Sequence, residues 1–145
     1  MIIRDPDEKD LPGILRLYAG IETDPDSILD LESAKAKYRK IKKYPSYAVY
    51  VAEKDENIIG TFELLIMDHL AHYGRLSGIV EDVVVEEKHR NSEVGGEMME
   101  YAMEVRRRHG CYKMMLSSNV KRAGAHRFYE KLGFTRHGLS YVVHP

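Results

Sequence analysis

The spacing of apolar residues changes several times along this chain, and each change marks an element. Ile2-Ile3-Arg4 reads as a short strand, and Leu11, Ile14, Leu15 and Tyr18 then fall on one face of a helix that Asp7 or Asp10 can cap. Glu22-Thr23-Asp24-Pro25-Asp26 is turn-like, and from Ser27 onward Leu31, Ala34, Tyr38 and Ile41 recur at helical spacing until Pro45 stops the pattern. Tyr47-Ala48-Val49-Tyr50-Val51-Ala52 and Ile58-Ile59-Gly60-Thr61-Phe62-Glu63-Leu64-Leu65 flank the polar turn Lys54-Asp55-Glu56-Asn57, which predicts an antiparallel hairpin.

After a loop over residues 68–74, Gly78-Ile79-Val80-Glu81-Asp82-Val83-Val84-Val85 has the β-branched density of a strand buried on both faces, and so of a central strand. Val94, Met98, Tyr101, Ala102 and Val105 repeat at helical intervals and stop at Gly110, a residue suited to ending a helix. Residues 112–116 supply another strand, residues 123–132 another helix closed by Gly133, and Phe134 with residues 140–143 a closing hairpin. The predicted order is β-α-α-β-β-β-α-β-α-β-β. No repeat, low-complexity tract or linker interrupts it, so a single domain over residues 1–145 is expected.

Composition narrows the partners. Lys and Arg number 22 against 23 Asp and Glu, a balance that gives no global field toward nucleic acid or anionic lipid. Any anion site must therefore be local. Cys111 is the single cysteine, which excludes an internal disulfide and a multi-cysteine metal site. The opening Met1-Ile2-Ile3-Arg4-Asp5 lacks the pattern of a signal segment, and no apolar run reaches the ~20 residues that span a bilayer, so a cytoplasmic protein without a membrane partner is expected. The run Lys35, Lys37, Arg39, Lys40, Lys42 and Lys43 shares a helix with an apolar stripe and reads as a solvated face. Asp68, His69 and His72 have ligand chemistry but read as loop residues, and no metal is expected.

The segment with most chemistry follows the buried strand. Val83-Val84-Val85 leads through Glu86-Glu87-Lys88-His89 to Arg90-Asn91-Ser92-Glu93-Val94-Gly95-Gly96 and a helix. Free amides at a first helical turn, the helix dipole and an adjacent arginine all favour a pyrophosphate, and glycine lets it approach the backbone. The competing reading is that Gly95-Gly96 serves only close helix–strand packing.

Arg90-x-x-Glu93-x-Gly95-Gly96 resembles the acetyl-CoA motif of the GNAT superfamily of N-acetyltransferases, with Glu93 where the family usually has glycine. There Glu93 offers its N–H, and its carboxylate is expected to face solvent. His126-Arg127-Phe128-Tyr129-Glu130-Lys131-Leu132-Gly133-Phe134 resembles a second signature of that superfamily, in which a helical tyrosine lies near the coenzyme sulfur. Residues 80–85 and 110–113 are similar to glucosamine-6-phosphate N-acetyltransferases, and residues 117–129 to aminoalkylphosphonate N-acetyltransferases. The resemblance implies an α/β GNAT fold: a mixed, mostly antiparallel sheet of six to seven strands, splayed between strands four and five, with about four helices. It also implies acetyl-CoA as cosubstrate. Main-chain atoms of Val83, Val84 and Val85 would bind the pantetheine arm, Arg90, Asn91, Ser92, Glu93, Val94, Gly95 and Gly96 the diphosphate, and Asn119 the coenzyme side, with Arg122 the alternative to Asn119.

Acyl transfer to an amine needs a base for the ammonium, a donor to the oxyanion and an acid for the thiolate. Glu81, on the strand leading to the motif, is the candidate base, or else an ion-pair partner. Tyr129 is the candidate acid, or else a helix-face aromatic of the core. The strand amide of Val83 is the candidate oxyanion donor. The expected function is acetylation of a primary amine of a small molecule, with or without a phosphate or phosphonate, and the expected assembly a homodimer. A protein or peptide acetyltransferase and a non-catalytic acyl-CoA sensor are the alternatives.

Overall fold

A computed structural model of the chain describes residues 1–21 and 27–145. They form two compact units, residues 1–115 and 116–145. Among the described residues one sheet is present, with β1 (Ile2–Arg4), β2 (Tyr47–Lys54), β3 (Asn57–Met67), β4 (Ser77–Val85) and β5 (Lys113–Leu116) adjacent in that order. The first four strands pair antiparallel, while β4 and β5 are parallel. A parallel pair needs a crossover, which the intervening helix α3 (Val94–Arg108) supplies.

Local chemistry sets the remaining elements. Asp7 caps a short 3-10 turn over Glu8–Asp10, which runs into helix α1 (Leu11–Ala19). The Asp30 carboxylate accepts from Ser33 N–H at 3.0 Å and starts helix α2 (Leu31–Ile41). Asp55 and Glu56, with φ of 49° and 61°, form the two-residue turn between β2 and β3. Gly110, at φ 69°, follows the end of α3.

Helices α1 and α2 bury Leu11, Ile14, Leu17 and Tyr38 on a sheet face made by Val49, Val51, Ile58 and Val84. The Tyr38 hydroxyl reaches the Pro6 carbonyl at 2.5 Å, so the buried ring keeps its polar end satisfied. Helix α3 buries Met98, Met99 and Ala102 completely. A Cβ on Gly60 of β3 would lie 2.5 Å from the Met98 sulfur, so glycine at 60 is what lets this helix approach the sheet. At the outer edge, Arg4 bridges Asp10 at 2.6 Å and Glu53 at 2.7 Å, and its guanidinium holds the buried Asp10 carboxyl below the usual carboxylate range.

Two expectations need correction. The sheet has five strands among the described residues, because residues 134–145 form none. Leu139, Tyr141, Val142 and Val143 are 78–92% exposed there, and β-branched composition does not make a strand without a partner ladder. Strand β4 is the fourth of five and is not buried on both faces, since Glu81 and Asp82 in its middle are exposed. Strand β3, with only Asn57 fully exposed, takes the central role. The turn expected over residues 22–26 lies outside the described residues.

Candidate active site

The second half of β4 carries the chemistry, because the strand is both bulged and longer than its neighbour. Thr61 pairs with Val84 and Glu63 with Glu81, so Phe62 stands opposite two residues, Asp82 and Val83. This is a β-bulge, and Asp82 adopts φ 48°, a conformation aspartate tolerates better than most residues. On the other side of β4, the Tyr112 N–H donates to the Leu76 carbonyl at 2.9 Å, so β5 starts level with β4. The four residues of β5 then end while the nine of β4 continue. Glu81, Val83 and Val85 lie on this overhang, whose backbone groups on that side β5 does not reach.

Past β4 the chain makes a 3-10 turn over Glu87–His89 and enters α3. Arg90 Nε donates to the Val85 carbonyl at 3.2 Å, which fastens the guanidinium to the strand end. Asn91 takes φ 61°, and the Ser92 hydroxyl donates to the His89 carbonyl at 2.5 Å. Glu93 stands at the N-cap without a side-chain cap and with its carboxylate exposed, as its place in the motif requires. Val94 is buried and anchors the first turn, its N–H meeting the Ser92 hydroxyl at 3.5 Å, and the Gly95 and Gly96 amides that follow in this 15-residue helix have no intrahelical acceptor. A Cβ on Gly96 would meet no atom within 4 Å, so close packing does not explain that glycine.

In the C-terminal unit, helix α4 (Ala123–Lys131) carries Tyr129. The Phe134 N–H donates to the Tyr129 carbonyl at 3.1 Å and the Gly133 N–H to the Glu130 carbonyl at 3.1 Å, with Gly133 at φ 90°. This is a Schellman motif, whose usual hydrophobic contact is here the Tyr129 and Phe134 rings, 5.8 Å apart. Phe128 packs edge-on to the same ring, with centroids 5.1 Å apart. The Phe-Tyr-Glu-Lys-Leu-Gly-Phe signature thus fixes one tyrosine ring. Burial pushes its hydroxyl pKa up, which keeps it protonated at neutral pH. Asn119 builds the preceding loop: its Oδ1 accepts from the Lys121 N–H at 2.9 Å, and its carbonyl meets His126 Nε2 at 2.9 Å.

Glu81 lies opposite Glu63 in register, so the two side chains share the sheet face that α1 and α2 cover. Although Glu81 is largely exposed, partial desolvation at the strand, with Asp82 adding, raises its pKa. Glu63 is not singled out by any sequence motif, and its Oε2 accepts a hydrogen bond from the Tyr47 hydroxyl. Burial first, then Asp82 and Glu81, push the Glu63 pKa up. Tyr18 from α1 also brings a buried hydroxyl beside this group, its pKa raised by burial and by Glu63 and Asp82. The signal for Glu63 was a carboxylate inside an apolar strand; its importance needs the β3–β4 register, which the sequence does not display.

Among the described residues no group of three or more His, Cys, Asp or Glu is arranged to hold a metal. His69 instead contacts the buried Ser77 hydroxyl at 2.7 Å. No described helix is long and apolar enough to cross a membrane.

Comparison with known proteins identifies the family. The chain belongs to the Acetyltransferase (GNAT) family, whose profile matches residues 12–134. It is 36% identical over 89 residues to glucosamine 6-phosphate N-acetyltransferase of Trypanosoma brucei brucei, covering 61% of this chain and 58% of that protein. It is 30% identical over 90 residues to aminoalkylphosphonate N-acetyltransferase of Salmonella typhimurium, covering 62% and 58%. The matched stretch thus spans less than two thirds of either relative. A solved structure from Agrobacterium tumefaciens str. C58 superimposes with a TM-score of 0.93 at 28% identity over the whole of both chains. That of glucosamine-6-phosphate N-acetyltransferase from Arabidopsis thaliana does so with a TM-score of 0.86, covering 99% of this chain and 97% of that one, and at 23% identity carries the fold alone.

Proposed function

We propose that this chain is an acetyl-CoA-dependent N-acetyltransferase acting on the primary amine of a small molecule. The observation that carries the reading is the overhang of β4 running into an open turn and the N-terminus of α3. Acetyl-CoA, when bound, supplies an acetyl thioester and a diphosphate. Strand-end groups of Val83, Val84 and Val85 would pair with the amide-rich pantetheine arm. Amides over residues 91–96, with Arg90 beside them, would hold the diphosphate, because free N–H groups and the helix dipole both favour an anion. Asn119 has its Oδ1 in a turn, so its amide NH2 is the group left for the coenzyme.

The chemistry follows from the same residues. Glu81 takes a proton from the acceptor ammonium, directly or through one water, and the freed nitrogen attacks the thioester carbonyl. The Val83 N–H donates to the oxyanion, the C–S bond breaks as the C–N bond completes, and Tyr129 gives its proton to the departing thiolate. The products are the N-acetyl amide and free thiol. Cytoplasmic location and a homodimer remain part of this proposal.

Gly96→Val tests the diphosphate assignment without disturbing the core, since the added carbons enter open space. Its thermal midpoint should match the parent's, and acetyl-CoA affinity by calorimetry should fall by about tenfold or more, a loss of ~1.4 kcal/mol. Unchanged affinity would remove the turn from the site. Release of free thiol with any of a panel of primary amines, followed by mass spectrometry of the acetylated product, tests the reaction itself.

A further inference from the structure

Beneath α1 and α2 lies a cavity of about 280 Å³ within the N-terminal unit, and its two ends differ in chemistry. Ile14, Leu15, Tyr38, Ile41 and Val49 make walls of hydrocarbon. Glu63 and the solvent-exposed Asp82 line its floor, with Tyr18 beside them. The β3–β4 register puts Glu81, the base of the reaction proposed above, directly across from Glu63. Lys37 is the one basic residue of the described lining, and it is exposed on α2, where its ammonium stays in water.

Charge decides what such a cavity takes. Two carboxylates on an apolar floor attract an ammonium, and a phosphate drawn in with it would be repelled, the more so because the surroundings are less polar than water. The relatives named for glucosamine 6-phosphate and aminoalkylphosphonate act on amines that carry an anion. Nothing in this floor answers that anion, and the solvated Lys37 is a weak counterpart to it.

We infer that this cavity is the acceptor site and that it selects a primary amine with an apolar, uncharged body, its ammonium held by Glu63 and Asp82 beside Glu81, over a phosphorylated or phosphonylated amine. The inference rests on the acetyltransferase reading and narrows its substrate class. Glu63 and Asp82 act as binding residues; proton removal belongs to Glu81.

The test uses the whole chain with acetyl-CoA and four probes: 2-phenylethylamine, hexylamine, glucosamine 6-phosphate and 2-aminoethylphosphonate. The two apolar amines should exceed the anionic pair in kcat/KM by about a hundredfold, the discrimination open to a site whose charges must otherwise go unpaired. Glu63→Gln and Asp82→Asn should each raise KM for 2-phenylethylamine by about tenfold or more, with acetyl-CoA affinity unchanged. Asparagine keeps the left-handed backbone at position 82, so that variant folds whatever becomes of the first. Equal or higher kcat/KM for either anionic amine, or an unmoved KM in both variants, overturns the inference and leaves the transferase reading in place. Calorimetric binding of 2-phenylethylamine that both variants lose, without acetylation of any amine, supports the cavity assignment and removes the transferase reading instead.

Discussion

Glu63 is held against its own electrostatic preference, and the consequence is measurable in stability. Its carboxyl sits among Tyr47 from β2, Tyr18 from α1, Glu81 and Asp82 from β4, with Lys37 of α2 lining the same cavity. Burial raises its pKa above the ordinary 4.5, so the folded chain binds this proton at pH values where the unfolded chain has released it. Stability therefore falls as pH rises from about 4.5 through the raised folded value. Glu63→Gln removes that loss: its thermal midpoint should exceed the parent's at pH 7, and the two should converge below pH 4.5. A midpoint below the parent's across the range would show the carboxylate to be stabilising. Glu81 and Tyr129 are separated by kinetics. Glu81→Gln should lose rate most on the acidic side and recover partly at higher pH, where free amine accumulates unaided. Tyr129→Phe should lower kcat by ~10²–10⁴ with acetyl-CoA affinity retained, because the ring stays in its Schellman contact and only the proton is lost. A pH–rate profile that Glu81→Gln leaves unaltered, or turnover of Tyr129→Phe within about twofold of the parent, removes the corresponding role. Both candidates stand out in the sequence because each sits in a contiguous motif, and the kinetic tests decide their roles. Glu63, Tyr47 and Tyr18 do not, since register and a bulge bring them together across more than forty positions.

At the level of elements, legibility followed the strength of local signals. Helix α3 and the β2–β3 hairpin were found within a few residues, because helical periodicity and a polar turn are written in adjacent positions. The place of β4 in the sheet was misjudged because strand order is not local, and the closing hairpin because β-propensity was read without a partner. Gly13 shows the same competition between local and tertiary terms. It lies inside α1, where alanine would gain about 1 kcal/mol of helix propensity. A Cβ there would stand 2.9 Å from Ile58 Cβ, an atom tied to the β3 backbone that cannot rotate away. Overpacking of this kind costs roughly 1–3 kcal/mol, so the steric term wins. Gly13→Ala should lower stability in urea titration despite its better propensity, and a higher midpoint would mean that α1 shifts freely on the sheet. That matters for function, since α1 carries Tyr18, Ile14 and Leu15 into the cavity.

Across the whole molecule, stability is unevenly distributed between the two units. Residues 1–115 hold every fully buried side chain of the sheet and of α3, including Phe62, Ile59, Leu64 and Met98. In residues 116–145, α4 has nine residues, none of them buried. Isolated helices shorter than about 12–15 residues are marginal in water, because nucleation fixes several residues for one hydrogen bond. Below about 40 residues a chain rarely buries enough surface to fold without a disulfide or a metal. The single cysteine, Cys111, lies outside this unit. A peptide of residues 116–145 should therefore show no cooperative melt and little helical circular dichroism, although the full chain holds α4 and its Schellman turn. A cooperatively folded peptide would show instead that the contacts within this unit are enough to hold it.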